Sequence, residues 1–433
     1  MTVSDGQGAD GQTGGYSSLV EEGRVHSAVF TDESIFEAEL ERIFYTYWVF
    51  LAHESEVPEP GDYCRKSIGR QSIVVTRGRD GEIRAFFNRC RHRGTAVCRY
   101  ERGNAEFFRC PYHGWTYTNQ GKLVGVPFPS RYGEDFEKEN LGLVPVPRID
   151  TYRGFIFVSL AADGPSLTDH LGRAAQYIDI FLQGSPVEQV ALSAGASKSN
   201  FHGNWKFVGM DGYHVNFTHK AVLDLQMRRN GNPAVRRNNS DRSPNLTVDL
   251  GGGHCRLDLS LTDKVEVGKA TASLIGEIPG TEAGYEYLKL MTERWGSETE
   301  AYERIRAARD VHLHVWPNLQ LIGSEVRVVR PLASGYTEVF GYPSMLAGVP
   351  DEINERRLRG YEWFNSVAGF GTPDDREIFE RNQVGLQNDA EPWLVVSRGL
   401  SKAETRADGV VIGNITDEVT QRTQMRQWAK AMR

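Results

Sequence analysis

The chain has 433 residues, 39% of them apolar and 10% aromatic, enough for two or three cored domains. Its net charge of −7 and pI near 5.9 give no footing for nucleic acid or an anionic membrane surface. No apolar run approaches the roughly twenty residues of a membrane span.

Residues 1–15 are polar and glycine-rich, with neither a basic stretch nor an apolar core. They read as part of a disordered tail (residues 1–20) rather than a signal peptide. Residues 21–56 form a helical lead-in expected to pack on the larger C-terminal domain. Within it Ile35, Phe36, Leu40, Ile43, Phe44 and Trp48 recur at helical spacing, so the expected helix runs over residues 33–48. From 57 to 165 the period shortens to that of strands. Residues 72–76 form one, Asp80-Gly81 is a hairpin turn signal, and residues 83–87 return. Residues 107–108 lead into a loop, residues 115–118 lead out, and residues 152–160 close a small all-β domain.

The third domain, residues 166–433, mixes the two periods. Helices are expected over residues 167–182, 285–295, 299–309, 353–367, 373–386 and 416–432. Strands are expected over residues 245–250, 255–261, 312–322, 326–331 and 336–342. The pattern is α+β, with an antiparallel sheet surrounded by helices. No P-loop is present, and the one G-x-G-x-x-G, residues 6–11, lies in the polar tail with no strand before it, so no nucleotide site is expected.

Two short stretches carry the chemistry of the β domain: Cys90-Arg91-His92-Arg93-Gly94 and Cys110-Pro111-Tyr112-His113-Gly114-Trp115. Each offers one thiolate and one imidazole, on what should be the tips of β-hairpins. Two cysteines and two histidines suit either a structural zinc ion or a Rieske [2Fe–2S] cluster. Zinc sites usually group like ligands at C-x₂₋₄-C and H-x₃₋₅-H spacing. Here each loop holds one of each kind, with glycine after each histidine to allow a tight turn, which favours the binuclear cluster. The five cysteines, Cys64, Cys90, Cys98, Cys110 and Cys255, are odd in number and scattered, which argues against a disulfide framework and for a reducing cytoplasm. Cys64, Cys98 and Cys255 read as small core residues.

A second constellation lies in residues 204–219, NWKFVGMDGYHVNFTH. Asp211 and His214 are three apart and share a helix face. His214 and His219 are five apart, about 140° out of phase at ~100° per residue, so both reach one metal only if the helix is unwound or ends there. Two histidines with a carboxylate form the facial triad of non-haem Fe(II) oxygenases. His214 and His219 could otherwise be ordinary histidines, one half-buried and one at a helix end.

From about residue 25 onward the chain resembles the large (alpha) subunit of Rieske non-haem iron aromatic ring-hydroxylating dioxygenases. The resemblance rests on both Cys–His loops, on D-x-Y-H-x₄-H, and on Ala368-Gly369-Phe370-Gly371-Thr372-Pro373-Asp374-Asp375. It implies a [2Fe–2S] cluster on Cys90, His92, Cys110 and His113, an Fe(2+) on His214, His219 and Asp375, and a bridging role for Asp211. Asp374 and Glu377 are the rivals of Asp375. Alternatively, Thr372 would cap a helix, with Pro373 in its first turn and Asp375 as a capping acid. One departure stands out: only Phe207, Val208, Gly209 and Met210 separate Lys206 from Asp211, fewer than the family usually has, which puts the shape of the pocket wall in question.

The resemblance further implies a homotrimer, alone or with a small beta subunit, fed by a ferredoxin or flavin reductase and acting on a small aromatic molecule with O₂. The expected wire runs from His113 of one subunit through Asp211 of the next to His214. Respiratory Rieske proteins carry two more loop cysteines as a disulfide; here those positions are Thr95 and Tyr112. The expected substrate is an aromatic carboxylate, with Arg228, Arg229, Arg236 and Arg237 as candidate anchors. A neutral or polycyclic hydrocarbon, or a monooxygenase or demethylase outcome on the same scaffold, is the alternative. Residues 201–216 and 223–234 should line the pocket, with residues 311–322 opposite. His312 and His314 share a strand face and are expected to meet solvent or a hydrogen-bond partner.

Overall fold

The computed structural model describes residues 15–210, 218, 219, 221, 241–259, 278 and 280–433. In the lead-in, Asp32 accepts from the amides of Ser34 and Ile35 and starts the helix Glu33–Glu39, which continues only as one π-turn, Leu40–Phe44. The expected helix therefore stops short of Trp48. Trp48 is apolar because it packs beneath the third domain, with its indole N–H on the Pro165 carbonyl (2.9 Å). The chain then enters a buried strand, Val49–His53, which pairs with Phe155–Ser159. Residues 152–160 are thus not one closing strand. They begin in a tight turn at Arg153 and Gly154, both at positive φ, that joins Arg148–Tyr152 to Phe155–Ser159.

The β domain holds a four-stranded antiparallel sheet in the order Ile83–Phe87, Gln71–Arg77, Asp62–Ile68, Arg102–Asn104. A three-stranded sheet, Phe107–Arg109, Thr116–Thr118 and Leu123–Gly125, packs against it over a shared core containing Val74, Phe86, Trp115 and Tyr117. The second Cys–His loop is the tip of a hairpin, as expected. The first is not: it connects Ile83–Phe87 to Arg102–Asn104, which lie on opposite edges of the larger sheet.

The third domain is built on a nine-stranded antiparallel sheet. Its order is Ser197–Phe201, Tyr336–Pro343, Glu325–Ala333, Leu319–Ile322, Val311–Val315, His254–Asp258, Leu246–Gly251, Val411–Asn414 and Glu404–Thr405. Residues 312–322 form a hairpin of two of these strands rather than a single strand. Trp316, Pro317 and Asn318 make the reversal, and the Asn318 amide clamps the Phe50 backbone in both directions (3.0 and 2.9 Å). Helices Glu282–Trp295, Glu298–Arg309, Asp351–Phe364, Thr372–Gly385 and Val419–Ala431 surround the sheet. The expected helix over residues 167–182 is broken at Gly172 (φ 46°) into Leu167–Leu171 and Ala174–Leu182.

Cross-strand register places one polar row on a single face of the sheet. Cys255, His314, Gln320, Arg327 and Gly341 lie opposite one another in turn, with Ser197 beyond. His312, Ile322 and Glu325 form the neighbouring row on the same face. No helix of the described residues is long and apolar enough to cross a membrane.

Candidate active site

The two Cys–His loops are built alike. The Cys90 amide donates to the Thr95 carbonyl (2.8 Å) and the Gly94 amide to the Cys90 carbonyl (2.9 Å). The Cys110 amide donates to the Trp115 carbonyl (2.8 Å) and the Gly114 amide to the Cys110 carbonyl (3.0 Å). Each turn closes through a glycine at φ 77° or 73°, a conformation that costs a Cβ-bearing residue strain. The loops face each other, with the His92 and His113 rings 4.6 Å apart and His92 stacked flat on Trp115 (5.1 Å, 8°). Tyr117 is buried beneath them, its hydroxyl 3.3 Å from Cys90 Sγ and accepting from the Arg91 amide (3.0 Å).

A cluster fits these residues. Both thiols are buried, and the Nδ1 atoms of His92 and His113 are buried with no hydrogen-bond partner, an arrangement that is costly unless a ligand takes them up. Burial and the neighbouring His113 hold His92 below the ordinary imidazole value, so it stays in the neutral, ligating form.

In the third domain, His219 is buried and meets the Asp-Asp pair. Its Nε2 lies 3.0 Å from Asp375 Oδ1 and its Nδ1 lies 3.3 Å from Asp374 Oδ2. Two donors each about 2.1 Å from one ion at a right angle stand about 3.0 Å apart, so the His219–Asp375 pair suits a shared metal. Asp374 suits holding the outer ring nitrogen. Glu377, the other rival, instead pairs with Arg381 (2.7 Å) on the exposed side of the helix. The Phe364 ring closes edge-on over His219 (5.4 Å). The capping alternative fails: Thr372 is the first helical residue, and its hydroxyl donates to the Asn365 carbonyl (2.7 Å) instead of capping.

Asp211, His214 and the arginines Arg228, Arg229, Arg236 and Arg237 lie outside the described residues, as do residues 211–216 and 223–234 of the expected pocket stretches. Among the described residues no three metal-binding side chains converge on one point.

Residues 47–150 match the Rieske [2Fe-2S] domain family. The anthranilate 1,2-dioxygenase large subunit of Acinetobacter baylyi is 35% identical over 390 residues, spanning 87% of this chain and 80% of its own length. The 2-halobenzoate 1,2-dioxygenase large subunit of Burkholderia cepacia is 35% identical over 395 residues, with coverage of 87% and 80%. Naphthalene 1,2-dioxygenase from Rhodococcus sp., solved with indole bound, superimposes with a TM-score of 0.77 at 30% identity, covering 94% of each chain. The chain belongs to the Rieske aromatic ring-hydroxylating dioxygenase large subunits.

This Rieske oxygenase thus carries a [2Fe–2S] cluster in its β domain and a mononuclear iron in its catalytic domain. Helix Lys206–Met210, which precedes the expected ligands His214 and His219 in sequence, is pinned by buried groups. Asn204 caps helix Lys206–Met210 (3.1 Å to the Lys206 amide) and donates to the carbonyls of Phe30 and Ser334. Lys206 and Glu39, both 1% exposed, form an ion pair at 2.5 Å. The Glu39 carboxylate also accepts from the indoles of Trp205 (2.7 Å) and Trp428 (2.6 Å). Burial pushes the Lys206 ammonium down, and Glu39 works against that shift.

At the far end, Gln320 donates to the Val208 carbonyl (2.8 Å) and Gln424 to the Gly209 carbonyl. A regular helix would give these acceptors to the amides of residues 212 and 213.

His314 corrects its expectation. It is 5% exposed, both ring nitrogens lack hydrogen-bond partners, and a Cβ on Gly209 would lie 3.1 Å from its Nε2. Burial pushes it down to about 3.

Two guanidinium groups that the sequence did not single out, Arg327 and Arg376, lie within electrostatic reach of Asp375. Burial works against the charge of Arg327, but Glu325 raises it, through contacts of 2.8 and 3.3 Å. Arg376 follows Asp375 directly. Burial and Arg327 push it down to about 10, so it remains a cation at neutral pH. Only the cross-strand register and the helix phase point to these residues.

A cavity of about 690 Å³ lies elsewhere, between the β domain and the sheet, lined by Lys66, Arg330 and Tyr342 among others. None of the proposed metal ligands lines it. Lys66 crosses this seam, paired with Glu56 and donating to the Tyr342 hydroxyl (2.9 Å).

Proposed function

We propose that this chain is the terminal oxygenase that cis-dihydroxylates the ring of an aromatic carboxylate, with Cys90, His92, Cys110 and His113 on the cluster and His214, His219 and Asp375 on the iron. The observation that carries the reading is the 3.0 Å approach of His219 to Asp375 in a chain that also holds the paired Cys–His loops. The choice of an aromatic acid is supported by the relatives named for anthranilate and 2-halobenzoate. When bound, the two groups supply one-electron relay and the redox chemistry that opens dioxygen.

The protein's own residues do the rest. Buried Cys90 and Cys110 offer thiolates in a dry setting, and Trp115 shields His92 from water. Asp374, accepting from His219 Nδ1–H, leaves the Nε2 lone pair directed at Asp375 and the metal.

The cluster of one subunit serves the iron of the next, through His113, Asp211 and His214, in a closed ring of three chains, alone or with a small beta subunit. Exposed apolar groups at both centres fit this docking: Tyr112 and Phe128 (59% and 80% exposed) near the cluster, Val367 and Phe370 (42% and 51%) near the Asp-Asp pair. A ferredoxin or flavin reductase delivers electrons. Five buried cysteines outside any disulfide fit a cytoplasmic location.

The test supplies the purified chain with a reductase, benzoate or anthranilate, and labelled dioxygen. A diol carrying both labelled atoms is expected. A product with one labelled atom, or a dealkylated product from an N-methyl substrate, would instead support a monooxygenase. Asp211→Asn should retain both metals while losing most turnover; normal turnover in that variant would refute the wire.

A further inference from the structure

Arg376 is a partly buried cation with no ion-pair partner among the described residues. Its Nε and Nη1 have no hydrogen-bond partner and no access to solvent. Among the described residues four charged groups face it: Arg327, Glu325, Asp375 and Glu380. Each acid among them is committed elsewhere. Glu325 holds Arg327 at 2.8 and 3.3 Å and also accepts from the Asn365 amide (3.0 Å). Asp375 is engaged by His219, and its charge is spent further once a metal sits between them. Glu380 accepts from the His202 backbone amide (2.8 Å) at the protein surface.

Unmet donors on a buried guanidinium call for an acceptor, and a carboxylate is the acceptor whose geometry suits that group. Arg376 follows the proposed metal ligand Asp375 directly in the helix and lies within reach of its charge.

We propose that Arg376 binds the carboxylate of the aromatic substrate and so sets which ring carbons face the metal held by His219 and Asp375. This assignment rests on the reading of the chain as an aromatic-acid oxygenase. It replaces Arg228, Arg229, Arg236 and Arg237 as the favoured anchor.

The test is anaerobic titration calorimetry on the metal-loaded, full-length protein, with benzoate and its neutral amide, benzamide. The wild type should favour benzoate by about tenfold or more. Arg376→Met should weaken benzoate about 30-fold or more, the scale of losing one partner of a buried charge pair. Benzamide should change by no more than about threefold, and Arg376→Lys should keep part of the preference. Equal wild-type affinities, or an R376M variant that weakens both ligands alike or neither, would overturn the assignment. If R376M does not fold, the wild-type preference and R376K decide: a lysine variant as selective as the wild type, or a wild type without selectivity, overturns it.

Failure of the parent reading looks different. Arginine-dependent benzoate binding without oxygen incorporation keeps Arg376 and ends the oxygenase. Labelled oxygen entering benzamide, with no preference for the acid, keeps the oxygenase and removes Arg376.

Discussion

The two metal centres are made in opposite ways. Each cluster loop is a local object: a cysteine, an imidazole two or three residues on, and a positive-φ glycine whose amide closes the turn. The proposed iron site is a long-range object. His219 and Asp374 are 155 residues apart, and only tertiary packing brings them together. Short-range sites are set by turn chemistry, whereas long-range sites depend on the groups that hold the helices. The second kind should be the more sensitive to distant substitutions.

The largest effects should sharpen that contrast. Cys110→Ala should remove the cluster, its visible absorption and all turnover, while leaving the His219–Asp375 pair able to hold its own metal; metal and sulfide analysis would show one iron and no sulfide per chain. Asp375→Ala should do the converse, keeping the cluster signal and losing both the mononuclear iron and activity.

Glu39→Gln lies far in sequence from either centre but strips the buried Lys206 of its counter-charge. A cost of about 3–5 kcal/mol in a denaturant melt is expected, with the iron lost before the cluster. Glu39→Gln melting like wild type would show that the iron helix is held by something else.

Acid should also act on the catalytic domain first. Burial lowers His170 to about 3, His254 to about 4 and His314 to about 3, against an ordinary value of 6.5. Above pH 6.5 these groups are neutral whether folded or unfolded. Below it the unfolded chain takes up protons that the folded chain refuses, so stability falls as pH drops from about 6.5 towards 4. Each imidazole contributes a slope of about 1.4 kcal/mol per pH unit. Melts between pH 7 and 5 should show this, and His254→Gln should reduce the slope by about one proton.

The smallest expected effect is that of Asp374→Asn, which should weaken iron affinity about 10–100-fold by loosening the orientation of His219 without touching the cluster.

The same contrast explains what was legible in the sequence. The cluster ligands could be read because their spacing is their geometry. Most helices and strands of the third domain followed from period, yet the hairpin at Trp316-Pro317-Asn318 read as one strand because its apolar pattern continues through the turn. Strand Val49–His53 was absorbed into the helical lead-in because all five of its residues are buried and show no alternation. Asp375 was legible only by resemblance, since Thr372-Pro373-Asp374-Asp375 also reads as a helix start. Glu39, Gln320, Gln424 and Arg376 gave no local signal: their roles arise from where packing and register bring them.

Metal and acid-labile sulfide analysis of the purified chain beside its Asp375→Ala variant tests the central claim most directly. The account predicts three irons and two sulfides per wild-type chain, and two irons, two sulfides and an unchanged Rieske paramagnetic signal in the variant. A variant that kept its third iron, or lost its cluster together with it, would contradict two separately built centres.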